Sequence, residues 1–323
     1  MAFPSVLLIE CLSGLGAHEA DAALRIRALR KSGLAGRAIV IHPSSSAERA
    51  RAIASAASRA VAERPSMVCV VASESDWRAV DRALPATISR CWWPSVVAGS
   101  GSEPDTSRAL TAFTVGANAP RQHLALHCAP VRSARERAPA ALWDGDFVLA
   151  PGPLRGAEGA RLLRAYAAAV EERPQWDLVV LTDPDPVFQG LAHSLGIGWR
   201  VHCAGDSPRE AEHTWLATAA AVLLPLSQPV AAGLVVRILA GGAPLIIDGA
   251  TPAARALGAW LDDASLGAAS PEAGLAAVLA REPRVRDACA RGRLIAAQHE
   301  PEALAARLGF TLDGEDRRPR EAA

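Results

Sequence analysis

The chain is 323 residues long, carries 34 basic and 34 acidic residues, and is 50% hydrophobic. That length suits two domains of about 150 residues, each with a sizeable core. With a formal net charge of zero there is no basic surplus to neutralise a phosphate backbone, which argues against nucleic acid as a partner.

In chain order, Met1-Ala2-Phe3-Pro4-Ser5 leads straight into a strand, Val6 to Leu12. No basic leader or long apolar segment stands there, so neither a signal peptide nor a membrane span is expected. Ser13-Gly14-Leu15-Gly16 is a tight loop, and a helix follows to about Arg30, with Gly33 ending it. A strand at Ala38–His42, a helix at Ala47–Glu63, a strand at Met67–Ala72 and a short helix at Trp77–Leu84 come next. Further strands are predicted at Thr87–Trp92, closed by Pro94, and at Leu110–Val115. The pair Trp92-Trp93 reads as an edge strand with partly buried indoles. The first domain is bounded at 1–135, before an arginine-rich segment.

The second domain, 144–311, is built on five apolar runs: Phe147–Ala150, Leu178–Leu181, Arg200–Cys203, Ala221–Leu224 and Pro244–Ile247. Such runs, apolar on both faces and separated by helical periods, mean a buried parallel sheet. A parallel sheet covered on both faces binds ligands at the carboxyl ends of its strands. Helices are predicted from Pro229 to about Ala240 and at Thr251–Leu257, Pro271–Arg281, Pro283–Ala297 and Glu302–Leu308. Residues 312–323 form a charged tail expected to be disordered.

Six cysteines occur (Cys11, Cys69, Cys91, Cys128, Cys203, Cys289), none in a Cys-x-x-Cys pair. This fits a reducing, cytoplasmic location and gives no metal or disulfide framework. Lys31 is the only lysine, so any phosphate-binding lysine has a single candidate. No Gly-x-Ser-x-Gly elbow or Ser/His/Asp order is present.

The loops carry the candidate chemistry. Gly14 and Gly16 stand between a strand and a helix, where glycine lets backbone approach a phosphate, or simply makes a turn lining a cleft. His18 follows, as a ligand contact or a solvated capping residue. Gly152 and Arg155 lie in the glycine-rich loop after Ala150; Arg155 is either a diphosphate clamp or a solvated turn residue. Asp183 and Asp185 read as turn and cap chemistry ahead of metal or acid–base work. Ser227 and Gln228 suit hydrogen bonds to a polyhydroxylated ligand, or cap the next helix.

Five blocks carry a resemblance: Asp146 to Leu154; Leu162-Leu163-Arg164-Ala165-Tyr166 with Arg173-Pro174; Trp176 to Leu181; Ala219 to Ser227; and Ala240 to Ile246. In order and spacing they resemble the carboxyl-terminal domain of retaining glycosyltransferases of GT-B fold, family 4. Ser13 to Glu19 resembles that family's glycine-rich first loop. The resemblance implies an α/β chain of two Rossmann-like domains facing each other across a cleft, with terminal helices crossing back to the first domain. It implies a nucleotide-sugar as donor substrate, an unknown acceptor, hexosyl transfer with retention, and no metal or other cofactor.

The resemblance also locates departures. The family's donor-diphosphate arginine and lysine fall on Pro153 and Glu158. Its two glutamates fall on Pro229 and Arg237, the glycines after its second strand on Thr182 and Asp183, and its Asn-Gly-Val-Asp loop near Cys128–Val131. Arg155, Arg161 or Arg237 would have to supply positive charge from shifted positions. Two functions follow: a sugar transferase with non-standard donor contacts, or a catalytically inactive relative acting as a binding or regulatory subunit, with a protein partner or as a homo-oligomer.

Overall fold

The computed structural model describes residues 5–98 and 146–303, apart from 13–14, 18, 32, 43–44, 89, 95, 173–174, 184, 206–208, 227–229, 251–256, 258–260, 262–264 and 267–269. The predicted strand at 110–115, all but Leu257 of the predicted helix at 251–257, and the predicted tail lie outside the described residues.

The first domain runs β1 (Ser5–Cys11), α1 (Glu19–Lys31), β2 (Ala35–Ile41), α2 (Ser46–Glu63), β3 (Met67–Ala72), α3 (Glu74–Ala83) and β4 (Arg90–Pro94). Its described strands form a parallel sheet in the order β2-β1-β3-β4. Alternation along β1 sends Val6 and Leu8 to the α1 side, with Ile26 and Leu29. It sends Leu7, Ile9 and Cys11 to the other side, with Ile53, Ala57 and Val80 of α2 and α3. Both faces are covered, so β1 reads as an unbroken apolar run. The exception is Glu10, which is buried and paired with buried Arg25 of α1. Ser45 caps α2 in a reciprocal box with Glu48. Pro94 belongs to β4, paired with Ala72, and does not terminate the strand ahead of it. Proline is tolerated where a strand has a neighbour on one side only.

The second domain runs β6 (Phe147–Ala150), α4 (Gly156–Glu172), β7 (Asp177–Val180), α5 (Pro186–Ser194), β8 (Val201–Cys203), α6 (Arg209–Thr218), β9 (Ala221–Leu223), α7 (Ala232–Gly241), β11 (Leu245–Ile246), β12 (Ser265–Leu266), α8 (Pro271–Leu279) and α9 (Pro283–Ala297). The sheet is parallel in the order β12-β11-β9-β6-β7-β8. This is the doubly wound order, whose switch point lies between β6 and β9. One face packs Phe147, Leu149 and Val222 against Trp215, Leu234 and Ile238 of α6 and α7. The other packs Val148, Val180 and Leu223 against Leu162, Tyr166 and Leu275 of α4 and α8.

Two predicted elements change. Arg200 belongs to a 3₁₀ turn at Gly198–Arg200, so β8 starts at Val201. The helix predicted from Pro229 starts at Ala232, because Val230–Ala231 is extended as β10. β10 pairs antiparallel with β5 (Val96–Ala98) of the first domain. A second tie comes from the chain's far end, where Glu302 pairs with Lys31 and lies 3.6 Å from Arg27, both of α1.

Candidate functional site

The two domains place their sheets' carboxyl edges where a ligand of this architecture would sit. On the second domain that edge is the β6–α4 loop, the β7–α5 loop and the segments after β9 and β11.

The β6–α4 loop turns hard onto its helix. Gly156 opens α4 with φ +63°, and a Cβ on Gly159 would lie 2.7 Å from the Leu154 carbonyl oxygen. This close return presents the first turn of α4 to the segment after β9. Glu158, in that turn, is only 3% exposed. Both its carboxylate oxygens lie 2.9 Å from the Leu226 N–H, which donates to them. A carboxylate suits this place twice over: it satisfies a buried amide, and it faces the positive end of the helix dipole. This is the position that the family resemblance assigns to a diphosphate-binding lysine.

The three arginines that the sequence offers in place of that lysine are each engaged by carboxylate. Arg155 donates from Nε to Asp185 at 3.1 Å, with its side chain 68% exposed. Asp185 also caps α5 by accepting from Val187 N at 2.9 Å. Arg161 donates from Nε to buried Asp248 at 2.5 Å, after β11, and Asp248 accepts from Ala250 N as well. Arg237 points out of α7 towards the first domain. Its Nη1 lies 3.3 Å from both oxygens of Asp21 on α1, and its Nη2 donates to the Gly16 carbonyl at 2.6 Å and reaches Glu212 on α6 at 3.4 Å.

Of the glycines singled out by sequence, Gly16 and Gly152 both meet the opposite domain. A Cβ at Gly16 (φ +73°) would stand 2.7 Å from Leu234 Cβ, and one at Gly152 would stand 2.6 Å from a Leu15 methyl. Ala231 N donates to the Leu15 carbonyl at 3.0 Å, and Leu15 bridges Val230. The first loop is therefore seated on the second domain. Gly14, His18, Ser227 and Gln228 lie outside the described residues.

At the first sheet's carboxyl edge, Arg49 makes a two-pronged bond to Asp76 at 2.7 and 2.6 Å. It also donates to the Leu12 carbonyl at 3.3 Å, and Ser73 donates to Asp76. The hydrogen bonds that Arg49 donates to the Asp76 carboxylate raise the Arg49 pKa. Burial, with a smaller contribution from the Asp76 charge, pushes the Cys11 thiol beneath this cluster up to about 12. A thiol so raised is no nucleophile at neutral pH. The described residues contain no group of three or more His, Cys, Asp and Glu able to hold a metal ion, and no helix long and apolar enough to cross a membrane.

Sequence reasoning singled out Glu158 only as the residue standing where the family has a diphosphate-binding lysine, and missed the Arg49–Asp76 clamp. The Arg155–Asp185 pair was legible in principle, since β6 and β7 are parallel neighbours and their following loops must adjoin.

No protein-family model matches the chain, and no sequence among the curated proteins does. Solved structures do match. A putative UDP-N-acetylglucosamine 2-epimerase from Listeria monocytogenes superposes with a TM-score of 0.59 at 14% identity, covering 100% of both chains. WaaG, a glycosyltransferase involved in lipopolysaccharide biosynthesis, gives 0.58 at 14%, over 96% of this chain and 100% of that one. The S. aureus MnaA–UDP complex gives 0.56 at 10%, over 99% and 100%. At such identities the likeness is one of fold: the chain has two Rossmann-like domains facing each other in the GT-B manner.

Proposed function

We propose that this GT-B chain is a glycosyltransferase-like protein that no longer transfers from a nucleotide-sugar and serves as a binding or regulatory subunit. One observation carries the reading. The first turn of α4 and the Leu226 amide, where a leaving diphosphate would be held, are filled by the protein's own Glu158 carboxylate. A leaving nucleoside diphosphate needs positive charge or helix dipoles to stabilise it. A second anion brought to roughly 5 Å from Glu158 meets repulsion of about 3 kcal/mol per unit charge at an effective dielectric of about 20. That is a loss of about two orders of magnitude in affinity. Two of the arginines that could offset it are committed to buried carboxylates, Arg161 to Asp248 and Arg237 to Asp21 and Glu212, and the third, Arg155, is paired with Asp185.

The test is calorimetric titration with UDP, ADP, GDP and their hexose conjugates, with hydrolysis or transfer followed in parallel. No binding heat up to millimolar ligand is expected. Micromolar binding of any of them, or release of a nucleoside diphosphate from its sugar conjugate, overturns the reading.

A second reading, metal-independent hexosyl transfer with altered donor contacts, is favoured by Arg155. Its ion pair with Asp185 is largely exposed, and such pairs hold by less than about 1 kcal/mol. Arg155 is thus free to turn towards a diphosphate at the sheet edge. Its signature is nucleotide binding that the Arg155→Ala variant loses.

A further inference from the structure

The contacts between the domains combine a buried ion pair with main-chain pairing. Arg237 sits mid-way along α7 with its side chain 6% exposed, and one guanidinium joins a carboxylate from each domain: Asp21 of α1 and Glu212 of α6. The same group holds the Gly16 carbonyl of the first loop at 2.6 Å. Around it, main chain crosses the boundary in two places: β5 with β10, and the parallel Leu15–Val230 bridge, in which Ala231 N donates to the Leu15 carbonyl. Val230 and Leu234 are fully buried, and Gly16 and Gly152 pack so closely on Leu234 and Leu15 of the opposite domain that neither position has room for a Cβ.

From this arrangement we infer that Arg237 is a latch: it fixes the two domains in one relative position, so that they move as a single body. Parting the domains would strip Asp21 of its buried guanidinium, break the main-chain pairing at Ala231 and expose Val230 and Leu234 together. Those losses fall on one step, because the guanidinium, the loop carbonyl and the strand pair share the same few residues. Opening and closing of the cleft about this hinge is therefore suppressed. The inference does not rest on whether the chain transfers a sugar.

Amide hydrogen exchange on the intact chain tests it. In the wild-type protein the Ala231 amide exchanges within about tenfold of the Leu149 amide in β6, since both open only with large-scale unfolding. Asp21→Asn keeps the side-chain volume and leaves the Arg237–Glu212 pair inside the second domain, so both domains stay folded. It raises exchange at Ala231 by 10- to 100-fold while Leu8 of β1 and Leu149 stay unchanged. Arg237→Met does the same to a greater degree if it folds; the Asp21→Asn result decides the matter if it does not. Fast exchange at Ala231 in the wild-type protein overturns the latch. So does an unchanged Ala231 in Asp21→Asn, and so does a rise at Leu8 and Leu149 in step with Ala231, which is global destabilisation.

Discussion

Replacing Glu158 by alanine separates stability from ligand exclusion at a single position. The Glu158 carboxylate is buried and accepts from the Leu226 N–H with both oxygens at 2.9 Å. A hydrogen bond to a charged group contributes about 1.5–3 kcal/mol. A carboxylate in the first turn of a helix contributes roughly 0.5–1 kcal/mol through the dipole. Glu158→Ala should therefore lower stability by about 3 kcal/mol in urea titration, whereas Glu158→Gln, which keeps a carbonyl acceptor, should lower it by about 1 kcal/mol. The vacated amide and helix terminus should then accept an external anion. Pyrophosphate at ten times its dissociation constant returns about 1.4 kcal/mol to the alanine variant by linkage and nothing measurable to the wild-type protein. Thermal unfolding with and without pyrophosphate reads this directly. An alanine variant within about 0.5 kcal/mol of wild type, or equal pyrophosphate stabilisation of both proteins, would refute the reasoning.

Other expected outcomes are simpler. Gly159→Ala, ordinarily a gain in a helix, should cost about 2–3 kcal/mol because the new Cβ meets the Leu154 backbone; Gly190→Ala in α5, with open space around it, should gain about 0.5–1 kcal/mol. The pair is checked by urea midpoints, and a gain at Gly159 would contradict the loop geometry. Arg155→Ala should change stability by less than about 0.5 kcal/mol, since its pair with Asp185 is exposed. For Cys11, burial raises the thiol from its ordinary 9.0 to about 12. The folded chain then holds a proton that the unfolded chain releases from pH 9 upward. The stability from Cys11 is complete below pH 9 and is lost as pH rises towards 12, by at most about 1.4 kcal/mol per unit. Comparing wild type with Cys11→Ala at pH 8 and pH 10 checks the sign: the variant should show the smaller alkaline loss.

The second sheet was legible because β6, β7, β9 and β11 are apolar on both faces, a pattern that only a doubly covered parallel sheet requires. β12 was not: Ser265–Leu266 offers one apolar residue and no period. β10 was hidden for a different reason. Val230-Ala231 continues the apolar run of α7 without a break in composition, and what makes it extended is its partner β5, more than a hundred residues earlier. The site divides in the same way. The loops that line the sheet edge follow from topology, and sequence placed Arg155 and Glu158 on them. The partner of Glu158 is the Leu226 main-chain N–H, which no side chain advertises. The family resemblance put Arg237 where a donor-binding glutamate stands, while its guanidinium is engaged by Asp21, on the other domain. Pairings across a domain boundary leave no periodic mark, so charge counts and spacing cannot reveal them.

The β5–β10 pairing also sets an order in time. Residues 96–98 leave the ribosome long before residues 230–231 exist. At about 5–20 residues per second the interval is roughly 7–25 s. Through that interval the first domain has its β1–β4 sheet in hand while the Leu15 carbonyl still awaits the Ala231 amide. Lys31 of α1 waits longer still, for Glu302. The nascent first domain is thus a half-finished object that presents a bare strand and a loose glycine loop to its surroundings. A chaperone acting on this chain would have its natural client in that window.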